Sequence, residues 1–397
     1  MSVRVEITLA VVLLSTSVMS PATLRAAEAD SALSQSRPAA VAGGFDDKPH
    51  LTGMFGRVHL GGYLEFDGAW ERAAGATDEL GFELTRLSLM ASTRVRDRVN
   101  VWTEIEFEEG GEEIEVELAQ VDLLLHHAAN VRGGILLLPL GRFNLAHDGP
   151  RTELPRRPLL ATELLGSALS QPGMGLFGEM GSARTSRFTY EAYAVNGYHA
   201  GLLEDSQDGT RLPAGASNQE DTNASPAWIA RVAWDLARRA SIGLSGYTGA
   251  YNRFRIEGID VDSRRDVAIG VVDAEWVLRG FRLSGEAAQV YVQLPPSLAG
   301  LFASRQAGAT LQLSRSLGVR RVRRLPDSWF TLAVRAEVVD FDRERLGDSS
   351  RALTVGLNFR PVPESVFKFA CTRRWDQDRF ANQEANVAWV LGVASYF

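Results

Sequence analysis

Six histidines, His50, His59, His126, His127, His147 and His199, are the first side chains to test for chemistry. None falls in a His-x-x-Glu-His zinc spacing, and the chain contains no Gly-x-Ser-x-Gly nucleophile elbow. His147 and Asp148 are neighbours and could form an acid–base pair, but adjacency along the chain does not bring imidazole and carboxylate into hydrogen-bonding geometry. A contact within a loop is the simpler reading. The stretch EFEEGGEEIEVE, residues 106–117, could hold a divalent cation through carboxylate oxygens. It fits equally well as a solvated hairpin tip that meets lipopolysaccharide through such a cation. A single cysteine, Cys371, can form neither an internal disulfide nor a metal cluster. These residues assign no catalytic group, no cofactor and no metal centre, and they leave an outer-membrane hydrolase as a remote alternative.

Charge narrows the partners. The formal net charge of -7 argues against nucleic acid, whose phosphates require a basic face. Lys48 and Lys368 are the only lysines among 42 basic residues, so positive charge is carried almost entirely by planar guanidinium groups. The first thirty residues show an Arg4-bearing start, an apolar run from Ile7 to Val18 and then small residues. This is a secretory signal pattern, assigned to residues 1–29 with cleavage after Ala29 or Ala22. Residues 30–55 are expected to form a short periplasmic segment. No later stretch offers about twenty uninterrupted apolar residues, so no transmembrane helix is expected.

The elements that must position the polar groups are strands. From residue 56 onward the pattern has period two: in RVHLGGYLEFD, Val58, Leu60, Leu64 and Phe66 share one face against Arg57, His59, Tyr63, Glu65 and Asp67. Sixteen such runs are counted, near 56–68, 81–95, 99–108, 114–126, 131–140, 173–181, 186–196, 226–237, 241–251, 266–278, 281–293, 305–313, 328–341, 351–360, 364–375 and 387–397. Spacers after odd-numbered runs are long, AWERAAGATDEL among them, and those after even-numbered runs are mostly short. The basic spacer near 314–327 and the short 109–113 loop are exceptions. An even strand count with two unequal rims predicts an all-β fold, a 16-stranded antiparallel transmembrane β-barrel in the cell outer membrane, spanning 56–397. A secreted sandwich or propeller would also alternate, but without unequal rims. Phase slips near 81–95 and 114–126, as between Leu118 and Val121, call for a bulge. The terminal VAWVLGVASYF, ending on Phe397, is expected to be fastened in the seam that closes the barrel. The greasy face of each strand should meet lipid, leaving a wet interior.

Several blocks together resemble the phosphate-selective porin O and P family: GILLLPLGRFNLAHDGPRTELPRRPLL followed by GMGLFGEMG, AVNG at 194–197, VVDAEWVLRGFRLSGEAAQVY and VGLNFRPVPESVFKFA. The resemblance implies a homotrimer of 16-stranded porins with a loop folding inward after the fifth strand. Here that loop is residues 142–172, and it would narrow the pore with Arg142, His147, Arg151, Arg156 and Arg157. On the walls, Arg86, Arg335, Arg360, Lys368 and Arg374 would face Glu104, Glu106, Asp273, Glu275 and Glu286, setting up a transverse field; interior salt bridges that merely fill the wall are the alternative. The acidic positions depart from the family's basic lining. The implied function is passive diffusion of small polar or anionic solutes, with phosphate or another oxyanion as candidate. A surface-adhesion barrel with a plugged lumen is the alternative of a different class.

Overall fold

The computed structural model describes residues 48–53, 57–73, 76–205, 208–218, 221, 223–237 and 239–397. The expected signal peptide lies outside the described residues. Sixteen long strands follow one another: β1 (Val58–Ala73), β2 (Ala76–Arg96), β3 (Val99–Glu108), β4 (Glu113–His126), β5 (Ala129–Leu137), β6 (Ser170–Ser182), β7 (Ser186–Val195) and β8 (Ala227–Leu236). The second half comprises β9 (Ala240–Ala250), β10 (Asp266–Leu278), β11 (Phe281–Val292), β12 (Arg305–Leu317), β13 (Trp329–Asp340), β14 (Ser349–Val362), β15 (Ser365–Gln377) and β16 (Gln383–Tyr396). Each pairs antiparallel with the next, and β16 pairs with β1 from Asn386↔Ala73 to Tyr396↔Tyr63. The sheet is therefore a closed barrel. Phe397 adds a backbone hydrogen bond to the Gly62 carbonyl at 3.0 Å.

Every expected strand is present, and the differences lie at their ends. Most of the AWERAAGATDEL spacer, expected as a loop, is strand, up to Ala73 and again from Ala76: Trp70 pairs with Leu80, and Phe66 stacks on Phe82 at 6.1 Å. Beyond the Arg86↔Glu108 pair, β2 rises past β3 and pairs with β1 alone, which leaves Leu80 and Phe82 about four-fifths exposed. Within the segment expected to precede the barrel, Leu51–Gly53 pairs with the start of β1.

The two rims are unequal, as expected. After even strands the chain re-enters the sheet within two or three residues, from Arg96 to Val99, His126 to Ala129, Ser182 to Ser186, Leu236 to Ala240, Leu278 to Phe281 and Val362 to Ser365, while on the other rim the separations from Leu137 to Ser170, Val195 to Ala227 and Ala250 to Asp266 are the largest. The basic spacer stays a loop, 318–328, and exposes Arg320, Arg321, Arg323 and Arg324 on the short rim. Outward positions carry Leu64, Val232, Leu244, Leu332, Val355 and Leu391, all exposed. Exposed aromatics flank that band, with Trp234, Trp276, Phe281 and Phe367 toward the short rim and Trp70, Trp228, Tyr291 and Trp375 toward the long rim. Apolar side chains left in water would each forgo about 1.5–3 kcal/mol of burial. A band between two aromatic girdles is instead the surface that hydrocarbon and headgroups solvate. The chain is a transmembrane β-barrel of the outer-membrane type.

A bulge on β4 alters the lining of the lumen. Glu104 and Ile105 on β3 face Leu118 and Val116 on β4, so Glu117 is an extra residue. Glu117 and Leu118 consequently both turn inward, which is why an apolar Leu118 interrupts the alternation seen in the sequence. Register shifts on β1 and β2, at Glu65/Asp67 and Glu71/Arg72, account for the other slip.

Candidate functional site in the barrel lumen

The segment 138–169 folds into the barrel because its sequence is built to be buried there. Its base is closed by Asn144, whose amide donates to the carbonyls of Leu138 and Leu169 at 2.8 and 3.0 Å and accepts from the Leu169 amide at 2.8 Å. Gly141 has φ +82 and passes so close to Glu286 that a Cβ would collide with the carboxylate. That carboxylate in turn accepts from the backbone amides of Arg142 and Phe143. Further on, a single π-helical turn, Leu160–Leu165, buries Leu160, Ala161, Leu164 and Leu165. Two wall glycines receive these leucines: Leu160 and Leu164 seat against Gly308, and Leu154 against Gly356. Leu160, Leu164 and Leu165 merge with Tyr198, Ile229, Tyr247, Val290 and Val339 into one apolar cluster in the long-rim half of the lumen, while Leu154 packs separately with Ala333 and Ala370. The expected wet interior is therefore confined to part of the barrel.

Wall cations hold this loop by its backbone. Arg335 donates to the carbonyls of Arg156 and Arg157 at 3.0 and 3.3 Å and pairs with Glu337 at 2.9 Å. Arg360 donates to the Pro150 carbonyl at 2.7 Å. Lys368 donates to the Gly149 carbonyl and the Thr152 hydroxyl, both at 2.8 Å, and lies 3.6 Å from Glu65. Extended loop segments leave carbonyls that no ladder satisfies, and buried carbonyls need donors. These three side chains face inward, but they are buried and engaged with the loop backbone and neighbouring carboxylates.

The remaining expected residues also face inward, in pairs. Arg86 bridges Glu65 at 2.9 Å and Glu106 at 3.1 Å and also binds Glu108. Glu104 accepts from Ser88 at 2.5 Å. Asp273 is bound by both Nη atoms of Arg231 at 2.5 and 2.9 Å. Arg142 pairs with Glu275 at 2.9 Å, Arg156 with Glu71, and Arg374 with Glu163 and, at 2.7 Å, with Asp376. Arg151 donates to Tyr396 Oη at 2.9 Å, and Arg157 to Ser167 Oγ at 2.6 Å. His147 lies against Glu117 at 2.8 Å. The opposed rows of unpaired charge expected on the walls are thus mostly closed into interior ion pairs. A low-dielectric, crowded interior penalises an unpaired charge far more than it rewards a free field.

Solvent reaches two groups of charged side chains, one on each side of the loop. Arg142, Glu275 and Arg282 are about one-fifth exposed toward the short rim. Arg156, Glu71, Arg374, Glu163 and Asp376 are between 20% and 48% exposed toward the long rim. Both groups mix signs. Sequence reading missed Glu71, Glu163, Arg282 and Asp376 here. Glu163 stands in the same loop block as the arginines, but nothing local marks it as a partner of Arg374.

Lys48 reaches into the lumen beside Asp148 at 2.9 Å. Burial pushes the Asp148 carboxyl up, but Lys48 and then Arg151 outweigh it and hold the group below the usual carboxylate range. Burial, reinforced by Arg157, lowers the His147 imidazole from its ordinary value, so it is neutral at pH 7. The acid–base pair set aside on sequence grounds is not formed by His147 and Asp148: the Asp148 carboxylate accepts from Tyr396 Oη at 2.5 Å, while His147 turns to Glu117 and the Asn144 carbonyl.

No protein-family profile matches the chain. An uncharacterised protein of Aquifex aeolicus (strain VF5) is 29% identical over 172 residues, and the match takes in 42% of this chain and 38% of that protein's length. Among solved structures, the outer membrane channel DcaP of Acinetobacter baumannii superposes with a TM-score of 0.57 at 13% identity, over 88% of this chain and 99% of that one. The anion-selective porin of Comamonas acidovorans gives 0.55 at 13% identity, over 86% and 99%. The trimer form of OmpT, an outer membrane protein of Vibrio cholerae, gives 0.50 at 8% identity, over 86% and 100%. At these identities the likeness is one of fold, a 16-stranded barrel of the kind that outer-membrane porins have.

Proposed function

We propose that this chain is an outer-membrane porin: a passive diffusion channel for small polar or anionic solutes, narrowed by the inward loop and performing no enzymatic step. The observation that carries the reading is the loop itself. It lies inside a closed barrel, with charged side chains reached by solvent on both of its sides. Arg156, Arg374, Glu71 and Glu163 form the outer approach, and Arg142, Arg282 and Glu275 the inner one. Side chains of both signs orient water and dipolar solutes across the path and resist apolar ones. The arginine forks suit oxyanions, phosphate among them, and the intervening carboxylates keep ion preference weak. His147, Arg151 and Arg157, with the wall cations Arg335, Arg360 and Lys368, set the loop's position more than they meet solute.

The barrel meets lipid along its apolar band and lipopolysaccharide at the long rim. Its oligomer is a homotrimer, supported by the exposed Leu80 and Phe82 on the raised flank of β2. A second reading is favoured by the apolar cluster under the long rim: a barrel with a plugged lumen whose long loops bind other surfaces. Single-channel recording in planar bilayers separates the two. The porin reading expects discrete current steps, a reversal potential near zero in a salt gradient, and block by phosphate that weakens in Arg142→Ala and Arg156→Ala. Absence of steps from folded protein overturns it in favour of the plug.

A further inference from the structure

Three buried groups in the lumen are left unused by diffusion: Glu106 on β3, Glu117 on β4 and His147 on the inward loop. Each offers one ligand atom, and these atoms lie within 4.8 Å of one another. Glu106 points inward by ordinary alternation, whereas Glu117 does so because it is the extra residue of the β4 bulge, a device that re-aims a side chain. The imidazole tautomer follows from its surroundings. His147 Nδ1 lies 2.9 Å from the Asn144 carbonyl oxygen, which can only accept, so Nδ1 carries the proton. Nε2 is left with a lone pair. It makes no hydrogen bond, nor does Glu117 Oε2, although both atoms are buried; Nε2 stands 2.8 Å from Glu117 Oε1. Two acceptors facing each other away from water repel unless a proton or a metal ion stands between them.

We propose that Glu106, Glu117 and His147 bind a divalent transition-metal ion, Zn2+ by preference, which ties the inward loop to β3 and β4. One imidazole and two carboxylates suit zinc, whereas calcium and magnesium take all-oxygen sets. The Nδ1–H to carbonyl contact is the outer interaction that fixes a metal-bound histidine. Ligands at about 2.0–2.2 Å from zinc stand about 3.3 Å apart, so binding spreads His147 and Glu117 by roughly half an ångström. Glu106 keeps its outer partners, Tyr63 Oη at 2.5 Å and Arg86 Nε at 3.1 Å. The other charges facing the cluster are Lys48, Arg157, Glu104 and Asp148. The site stands independently of solute passage.

The test uses the purified full-length protein in detergent, stripped with a chelator and titrated with Zn2+ by isothermal calorimetry. The expected result is one Zn2+ per chain, no competition from equal Ca2+ or Mg2+, and at least about a tenfold loss of affinity in His147→Asn and in Glu117→Gln. Absence of saturable binding, which would mean that only a proton bridges the pair, overturns the proposal. So does Zn2+ affinity unchanged in the variants. His147 lies on a loop, and His147→Asn alone decides the matter should Glu117→Gln fail to fold.

Discussion

At the scale of single residues, Lys368 shows how the lumen is built. Its ammonium group is buried and meets three acceptors of the inward loop and, more distantly, Glu65. A compact charge with three donors fits such a convergence better than a planar fork does. Lys368→Met should cost about 3–5 kcal/mol, because it leaves Glu65 and the loop carbonyls short of a partner. The measurement is the urea midpoint of the detergent-folded protein, with Lys368→Arg expected to restore only part of it. Alternation between Phe367 and Phe369 makes Lys368 face inward in the sequence alone. Its partners, more than two hundred residues away, are invisible there.

The inward loop is the element whose placement matters most, and it is held by shape as well as by charge. A Cβ on Gly308 would come within 2.8 Å of Leu160 Cδ1 and 3.2 Å of Leu164 Cδ2. Gly308→Val should therefore displace the π-helical turn at a cost of about 1–3 kcal/mol, and Leu160→Ala should cost about 2–5 kcal/mol through the cavity it leaves. The two changes relieve one another, so the double variant is expected to lose less than the sum, read from a double-mutant cycle of unfolding free energies. Additivity would show that the leucine does not sit in the glycine notch. The β4 bulge is the other decisive element. It was legible as a phase slip near Leu118, but the sequence did not show that the slip delivers Glu117 to the interior.

For the whole molecule, the closing seam decides whether there is a barrel at all. Leu391 on β16 pairs with Gly68 on β1 and points outward, so its side chain matters little to the interior while its backbone belongs to the ladder. Leu391→Pro removes a ladder donor where no edge exists to tolerate it. It should abolish the compact band that a folded barrel gives on unheated SDS gels, whereas Leu391→Ala should keep it. A compact band from the proline variant would mean that the seam is not needed for closure.

Strand number, the unequal rims, the lipid-facing band and the inward direction of Arg86, Glu104, Glu106, Asp273, Arg335 and Lys368 were all set by the sequence on its own. Each follows from the pleat, which sends alternate side chains to opposite faces within a few residues. Tertiary structure alone decided what those inward groups meet: loop carbonyls for Arg335, Arg360 and Lys368, carboxylates for Arg86 and Arg374, and a bulged Glu117 for His147. It also decided that leucines from the loop fill the long-rim half of the lumen. Local periodicity fixes direction, whereas partnership depends on bringing together, across the barrel, segments that a linear chain keeps far apart.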